Sequence, residues 1–101
     1  MNNQLKMLKV RLYIQNREFE MVQKVCDDII NECLVKQSDY RSERSREYNL
    51  AVAKTYIVQK KILNNESVDY EDIAQIKDLF KNLNDRRGFS WILGLEGECL
   101  L

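Results

Sequence analysis

The chain contains no histidine and no proline, and its 101 residues include only three glycines and three cysteines. Without histidine, it cannot build a Ser-His-Asp triad, a Cys/His zinc site or an HExxH metalloprotease helix. A β-sandwich or barrel is disfavoured as well, because those folds need many turns. The length allows one small domain, since compact domains run from about 50 to 200 residues.

A surplus of positive charge is also missing, because 16 basic side chains balance 16 acidic ones. Nucleic-acid binding through bulk charge is therefore disfavoured. The charge is unevenly spread: residues 38–64 hold six basic and three acidic side chains, and residues 65–101 hold four basic and eight acidic. This split either orients a partner protein or second copy, or is a solvated face.

Long apolar runs are absent too. No stretch approaches the roughly 20 apolar residues of a membrane span, and Met1–Lys9 lacks the apolar segment of a signal peptide. Cys26 and Cys33 lie seven residues apart on one helical face, about 10 Å, which is too far for a disulfide. We expect Cys26 and Cys33 to be buried thiols and Cys99 to be chemically inert. We also expect a cytoplasmic protein that does not contact membranes.

Helical periodicity dominates the sequence and predicts an all-α fold of about five helices in one domain, residues 1–101. In the first helix, Leu5, Leu8 and Leu12 recur at steps of three and four, the signature of a buried face. The third helix is apolar on two sides, which indicates that it lies between neighbours. The predicted helices cover about residues 3–14, 18–35, 46–63, 70–82 and 86–99.

Helix ends are marked around the fourth and fifth helices. Asp69 is placed to cap the fourth helix, with Val68 and Ile73 flanking it as a hydrophobic staple. Asn84-Asp85 ends that helix and can cap the next one. The polar stretch 36–46 is either a connection or the solvated start of the third helix.

The fifth helix is apolar nearly all round. Gly94 and Gly97 inside it suggest close approach of another backbone, because glycine costs a helix about 1 kcal/mol relative to alanine. The segment after Leu95 ends in Leu100 and Leu101 and leaves apolar surface uncovered, whereas a repeat array needs a polar cap.

An internal repeat is visible at an offset of 43 residues, where Arg11-Leu12-Tyr13-Ile14 matches Lys54-Thr55-Tyr56-Ile57. Each copy lies near the end of one helix and precedes a second amphipathic helix. The fifth helix begins a third unit about 40 residues later. The chain therefore consists of two helical hairpins and one further helix.

These units resemble degenerate tetratricopeptide (TPR) repeats. In that family, the first helix of a hairpin carries a large residue, an adjacent small one and an aromatic three positions on, which Val52-Ala53 and Tyr56 fit. The stretch 84–91 is similar to repeat junctions of TPR-type regions in bacterial regulators. The missing closing proline departs from the family pattern. An unrelated helical bundle and another right-handed α-superhelix remain open alternatives.

The resemblance implies antiparallel hairpins stacked as a short right-handed superhelix whose concave face binds a peptide. Arg11 and Lys54 fall at equivalent positions, where two cations in one groove hold a carboxylate. The alternative interpretation is that Arg11 and Lys54 are exposed charges on a helix with no binding role. In the third unit, Trp91 and Leu95 take the peptide-facing places. In the first two units, the peptide-facing positions are Gln4, Met7, Arg11, Ile14, Glu47, Leu50, Lys54 and Ile57.

Catalytic patterns are not found in the sequence. The neighbouring acids Asp27/Asp28 and Glu71/Asp72 point about 100° apart on a helix and do not converge. No P-loop, GxGxxG, CxxC or GxSxG motif is present. We therefore expect no enzyme, cofactor or metal.

The sequence favours a non-enzymatic helical repeat module that binds a protein or peptide, and its resemblance to TPR-type regions implies that the module belongs to a bacterial regulator. The alternative is a self-associating structural protein, or a fragment of a larger superhelical scaffold, whose C-terminal helix forms a homo-oligomer through Trp91, Leu95 and Leu101. Neither hypothesis involves nucleic acid or a membrane.

Overall fold

A computed structural model describes residues 3–35 and 40–99. Within those ranges the chain forms five α-helices and no strand, so the all-α prediction is confirmed. The helices are α1 (Asn3–Gln15), α2 (Phe19–Val35), α3 (Tyr40–Leu63), α4 (Tyr70–Asn82) and α5 (Arg86–Cys99).

The third helix begins six residues before its predicted start at residue 46. Its first turns contain arginine, glutamate and serine without an apolar pattern. Arginine and glutamate are strong helix formers, so this segment can be helical without a buried face to mark it. The other predicted bounds agree with the structure to within one residue.

Helix α3 is the centre of the molecule. It packs against α1 and α2 on one side and against α4 and α5 on the other, which confirms the prediction of a sandwiched helix. Its buried residues join two core clusters: Ala53 belongs to one, and Ala51, Val52 and Val58 belong to the other. The α1–α2 cluster consists of Val10, Val22, Cys26, Ile29, Cys33 and Ala53, and the α4–α5 cluster of Ala51, Val52, Val58, Ile73, Ile76, Phe80, Ile92 and Leu95.

Tight turns close three of the helices without proline or glycine. Each turn has a residue with positive φ, namely Arg17 (59°), Asn65 (56°) and Asn84 (55°). After α1, the Glu18 amide donates to the Tyr13 carbonyl over 2.8 Å and the Arg17 amide donates to the Ile14 carbonyl over 3.1 Å. This is the Schellman pattern, and the same pairs of bonds close α3 and α4.

Side-chain caps start α4 and α5, as predicted. An Asp69 Oδ1 accepts a hydrogen bond of 2.9 Å from the Glu71 amide, and Val68 packs against the cluster that contains Ile73. An Asp85 Oδ1 accepts one of 3.0 Å from the Gly88 amide. These bonds satisfy amide groups that have no partner within the helix.

The buried face of α1 is not the one predicted. Leu5, Leu8 and Leu12 are 56%, 54% and 57% exposed, whereas Val10 is fully buried. Residues two apart differ by about 200° on a helix, so Leu8 and Leu12 point away from Val10. The prediction was wrong because α1 has apolar residues on both sides, and the second set, which includes Met7, packs on the core.

The glycines of α5 also differ from the prediction. A Cβ at Gly94 or Gly97 would have no neighbouring atom within 4 Å. The close approach is instead at Gly88, where a Cβ would overlap the Phe80 ring. Gly88 therefore lets the first turn of α5 contact a core aromatic.

Candidate binding groove

A groove of about 410 Å³ lies where α1, α3 and α5 face one another. It is open to solvent on one side and combines aromatic, amide and guanidinium groups. Its lining residues are Arg11, Ile14, Gln15, Tyr56, Gln59 and Trp91.

Helix geometry places these side chains together. Arg11 and Gln15 lie one turn apart on α1, and Tyr56 and Gln59 lie one turn apart on α3, so each pair shares a face. Trp91 reaches the groove from α5 and meets Tyr56 edge to face, with ring centroids 4.9 Å apart and an interplanar angle of 72°. This is a preferred aromatic geometry, and it fixes one wall of the groove.

The groove favours an anionic, partly apolar ligand. Among the lining residues that the structure describes, Arg11 is the charged one. Burial raises the pKa of Tyr56, an effect that the positive charge of Arg11 partly offsets and that Cys26 and Tyr48 reinforce. The Tyr56 hydroxyl therefore stays protonated at neutral pH and remains able to donate a hydrogen bond.

Three of the predicted site residues line the groove: Arg11, Ile14 and Trp91. Met7 is half-buried and packs against both core clusters. The side chain of Gln4 falls outside the described part of the structure.

The predicted positions on α3 face elsewhere. Leu50 and Ile57 are half-buried against the α1–α2 cluster, and Glu47 is half-buried away from the groove lining. Lys54 donates from Nζ to Gln75 Oε1 on α4 over 3.2 Å. The structure therefore does not bring Lys54 and Arg11 together in one groove.

The angular position of Lys54 on α3 explains why it does not reach the groove. Lys54 precedes Tyr56 by two residues and therefore lies about 200° away from it on the helix. The family alignment gave Lys54 the place of Arg11, but α3 turns the Tyr56 side toward the groove. Gln15, Tyr56 and Gln59 were missed. Tyr56 was interpreted as the packing aromatic of the repeat, and the available signal for Gln59 was its place as a polar residue within an apolar stripe of α3.

The predicted self-association residues have separate environments. Trp91 belongs to the groove, and Leu95 is buried in the α4–α5 cluster with 6% exposure. Leu101 lies outside the described residues. Leu95 is thus not available to a second copy, because its partners are the core residues of its own chain.

The cysteines that the structure describes are not placed for nucleophilic chemistry. Cys26 and Cys33 are both buried thiols. Burial, with a smaller effect from the charge of Asp27, raises the pKa of the Cys26 thiol to about 12. Cys26 is therefore a protonated, apolar core residue at neutral pH.

Residues 3–35 and 40–99 contain neither a metal-binding cluster nor a membrane-spanning helix. No group of three cysteine, aspartate or glutamate side chains there is placed to hold a metal ion. None of the helices in those ranges combines the length and the apolar character that crossing a membrane requires.

Comparison with known proteins gives no match: no family model, no curated protein and no solved structure matches the chain. The chemistry of the groove is consequently the basis on which a function can be assigned.

Proposed function

We propose that the chain is a non-enzymatic module that binds a peptide segment in the groove between α1, α3 and α5. The observation that carries this proposal is the convergence of Arg11, two glutamines and the Tyr56–Trp91 pair on one open groove. Each of these groups is suited to recognising a peptide.

The groove supplies complementary contacts for each part of such a ligand. The guanidinium of Arg11 can hold a peptide carboxylate through two parallel hydrogen bonds. The amides of Gln15 and Gln59 both donate and accept, which suits the peptide backbone. Trp91 and Tyr56 offer an apolar wall for an aliphatic or aromatic side chain, and indole and phenol are common anchors in interfaces.

We also propose that the helices stack as a short, TPR-like right-handed superhelix. Two pairs of residues 43 apart have similar surroundings: Val10 and Ala53 are both fully buried in the α1–α2 cluster, and Tyr13 and Tyr56 are both half-buried against it. The odd-numbered helices α1, α3 and α5 are also the ones that line the groove. Both features support a repeat with one binding face.

The test is a selection of random 12-residue peptides displayed on phage against the purified chain. We expect enriched peptides to combine a carboxylate with a large apolar residue. Their affinity for Arg11→Glu should fall at least about tenfold, because a charge-assisted pair is replaced by repulsion between like charges.

Lys54→Glu is the matched control, since it makes the same change of charge on a residue that contacts Gln75 outside the groove. We expect its affinity to equal that of the wild-type chain. Failure to enrich any peptide, or an equal loss in both variants, would contradict the groove assignment. Circular dichroism of both variants should show the helicity of the wild-type chain.

A further inference from the structure

Two exposed helix faces take no part in the packing of the protein's core. One is on α1 and consists of Leu5, Leu8 and Leu12, which we call the leucine face; each is more than half exposed. Three large apolar side chains at steps of three and four on one helical face are typical of a surface that packs against another helix. The groove does not use these leucines.

The other face is on α5 and consists of Leu93, Gly94, Gly97 and Glu98, which we call the glycine face. All four are exposed, and Gly94 and Gly97 have open space where a side chain would lie. Each glycine costs the helix about 1 kcal/mol relative to alanine, and the chain's own packing does not require either one. A flat strip beside an exposed leucine is suited to receiving a ridge of large side chains.

Both faces point directly away from the core of their own chain. Leu8 and Leu12 each lie two residues from the buried Val10, and Gly97 lies two residues from the buried Leu95, so each is turned by about 200°. A second molecule can therefore reach either face without displacing a core residue.

Charge distinguishes between the ways in which two copies can meet. Residues 3–15 of α1 hold three basic side chains and no acidic one, and of these Lys6 is paired with Glu32 at 2.7 Å. Lys9 and Arg11 are exposed. Two leucine faces packed on each other would bring these like charges together.

The glycine face has the opposite charge. Residues 90–99 of α5 hold two glutamates and no basic residue. Glu96 is paired with Lys77 at 2.7 Å, whereas Glu98 is exposed. The C-terminal end of a helix also carries partial negative charge, which attracts cations such as Lys9.

We propose that the leucine face of one copy packs on the glycine face of a second copy, so that the chain self-associates head to tail. From Leu5 to Leu12 the leucine face extends about 10 Å, and from Leu93 to Glu98 the glycine face extends about 7.5 Å, so the two faces are similar in length. Such a contact is heterologous and leaves one free face at each end of the dimer, which allows further growth. No residue of either face lines the peptide groove.

The test uses two variants that each block one face. Leu8→Glu with Leu12→Glu blocks the leucine face, and Leu93→Glu with Gly97→Glu blocks the glycine face. The new acids repel each other, so the two blocked faces do not associate. Each double variant should weaken self-association at least about 100-fold, because it removes apolar burial and would bury charge.

Mixing the two variants decides the arrangement. Each variant keeps one intact face, so the mixture should form a 1:1 complex by sedimentation or light scattering, while each variant alone is monomeric. Tyr70→Glu, which changes an exposed side chain on α4, is the control and should associate like wild type. A wild-type chain that stays monomeric at millimolar concentration, or a mixture that forms no complex, would overturn the proposal.

Discussion

Gly88 shows how a single residue determines the packing of two helices. The Phe80 ring, fully buried in the α4–α5 cluster, occupies the place where a Cβ of residue 88 would lie. No alternative position is open to a buried ring without moving its neighbours. Gly94 and Gly97, on the same helix, have no such neighbour.

We therefore predict opposite effects for two identical substitutions. Gly88→Ala should lower the free energy of unfolding by about 1–3 kcal/mol, as overpacking does in other cores. Gly94→Ala should raise it by about 0.5–1 kcal/mol, since alanine favours the helix. Urea denaturation at low micromolar protein concentration measures the free energy of unfolding of both variants. Equal effects of the two substitutions would show that Gly88 does not contact Phe80 in this way.

The raised pKa of the Cys26 thiol predicts that the free energy of unfolding decreases at alkaline pH. Its thiol pKa is raised from 9.0 to about 12 in the folded chain, because burial disfavours the thiolate. The folded state therefore keeps the proton that the unfolded state loses above pH 9. The contribution of Cys26 to stability should be complete below pH 9 and should decrease between pH 9 and pH 12.

The free energy of unfolding measured at intervals from pH 8 to pH 11 tests this expectation, with Cys26→Ala as the reference. The variant lacks the titrating thiol and should show a smaller decrease, while all other ionisable groups are the same in both proteins. If the two profiles run parallel, Cys26 does not titrate abnormally in the folded chain.

At the scale of single helices, local signals predicted every helix end except the start of α3 to within one residue. The starts of α4 and α5 follow from Asp69 and Asp85, whose carboxylates accept amide hydrogen bonds there. The orientation of α1 did not follow from its sequence, because it has apolar residues on opposite sides and periodicity does not tell which side packs. Burial of Val10 between α2 and α3 is a tertiary effect.

The cap at Asp69 gives a prediction for one element. Asp69→Ala should lower the free energy of unfolding by about 1 kcal/mol, because the Glu71 amide loses its acceptor. Asp78→Ala is the matched control, since it removes an exposed carboxylate from the middle of the same helix. Thermal denaturation of both variants compares them. An equal shift would mean that the cap has no special effect.

At the scale of the whole molecule, the central position of α3 was predictable because two of its faces are apolar. The groove was only partly predictable. Arg11, Ile14 and Trp91 were identified, but Lys54 was assigned to it by an alignment that did not determine the rotation of α3. An error of one or two residues in such an alignment turns a side chain by 100° to 200°. Only the packing of α3 against its four neighbours fixes that angle.

We propose that a peptide binds against Trp91 in the groove, and the intrinsic fluorescence of the chain tests this proposal directly. The chain has a single tryptophan, so its emission reports on this wall of the groove alone. Titration with a phage-selected peptide that lacks tryptophan should shift the Trp91 emission to shorter wavelength and saturate at the Kd measured independently by calorimetry. Binding in the calorimeter with unchanged Trp91 emission would contradict the claim and place the ligand elsewhere.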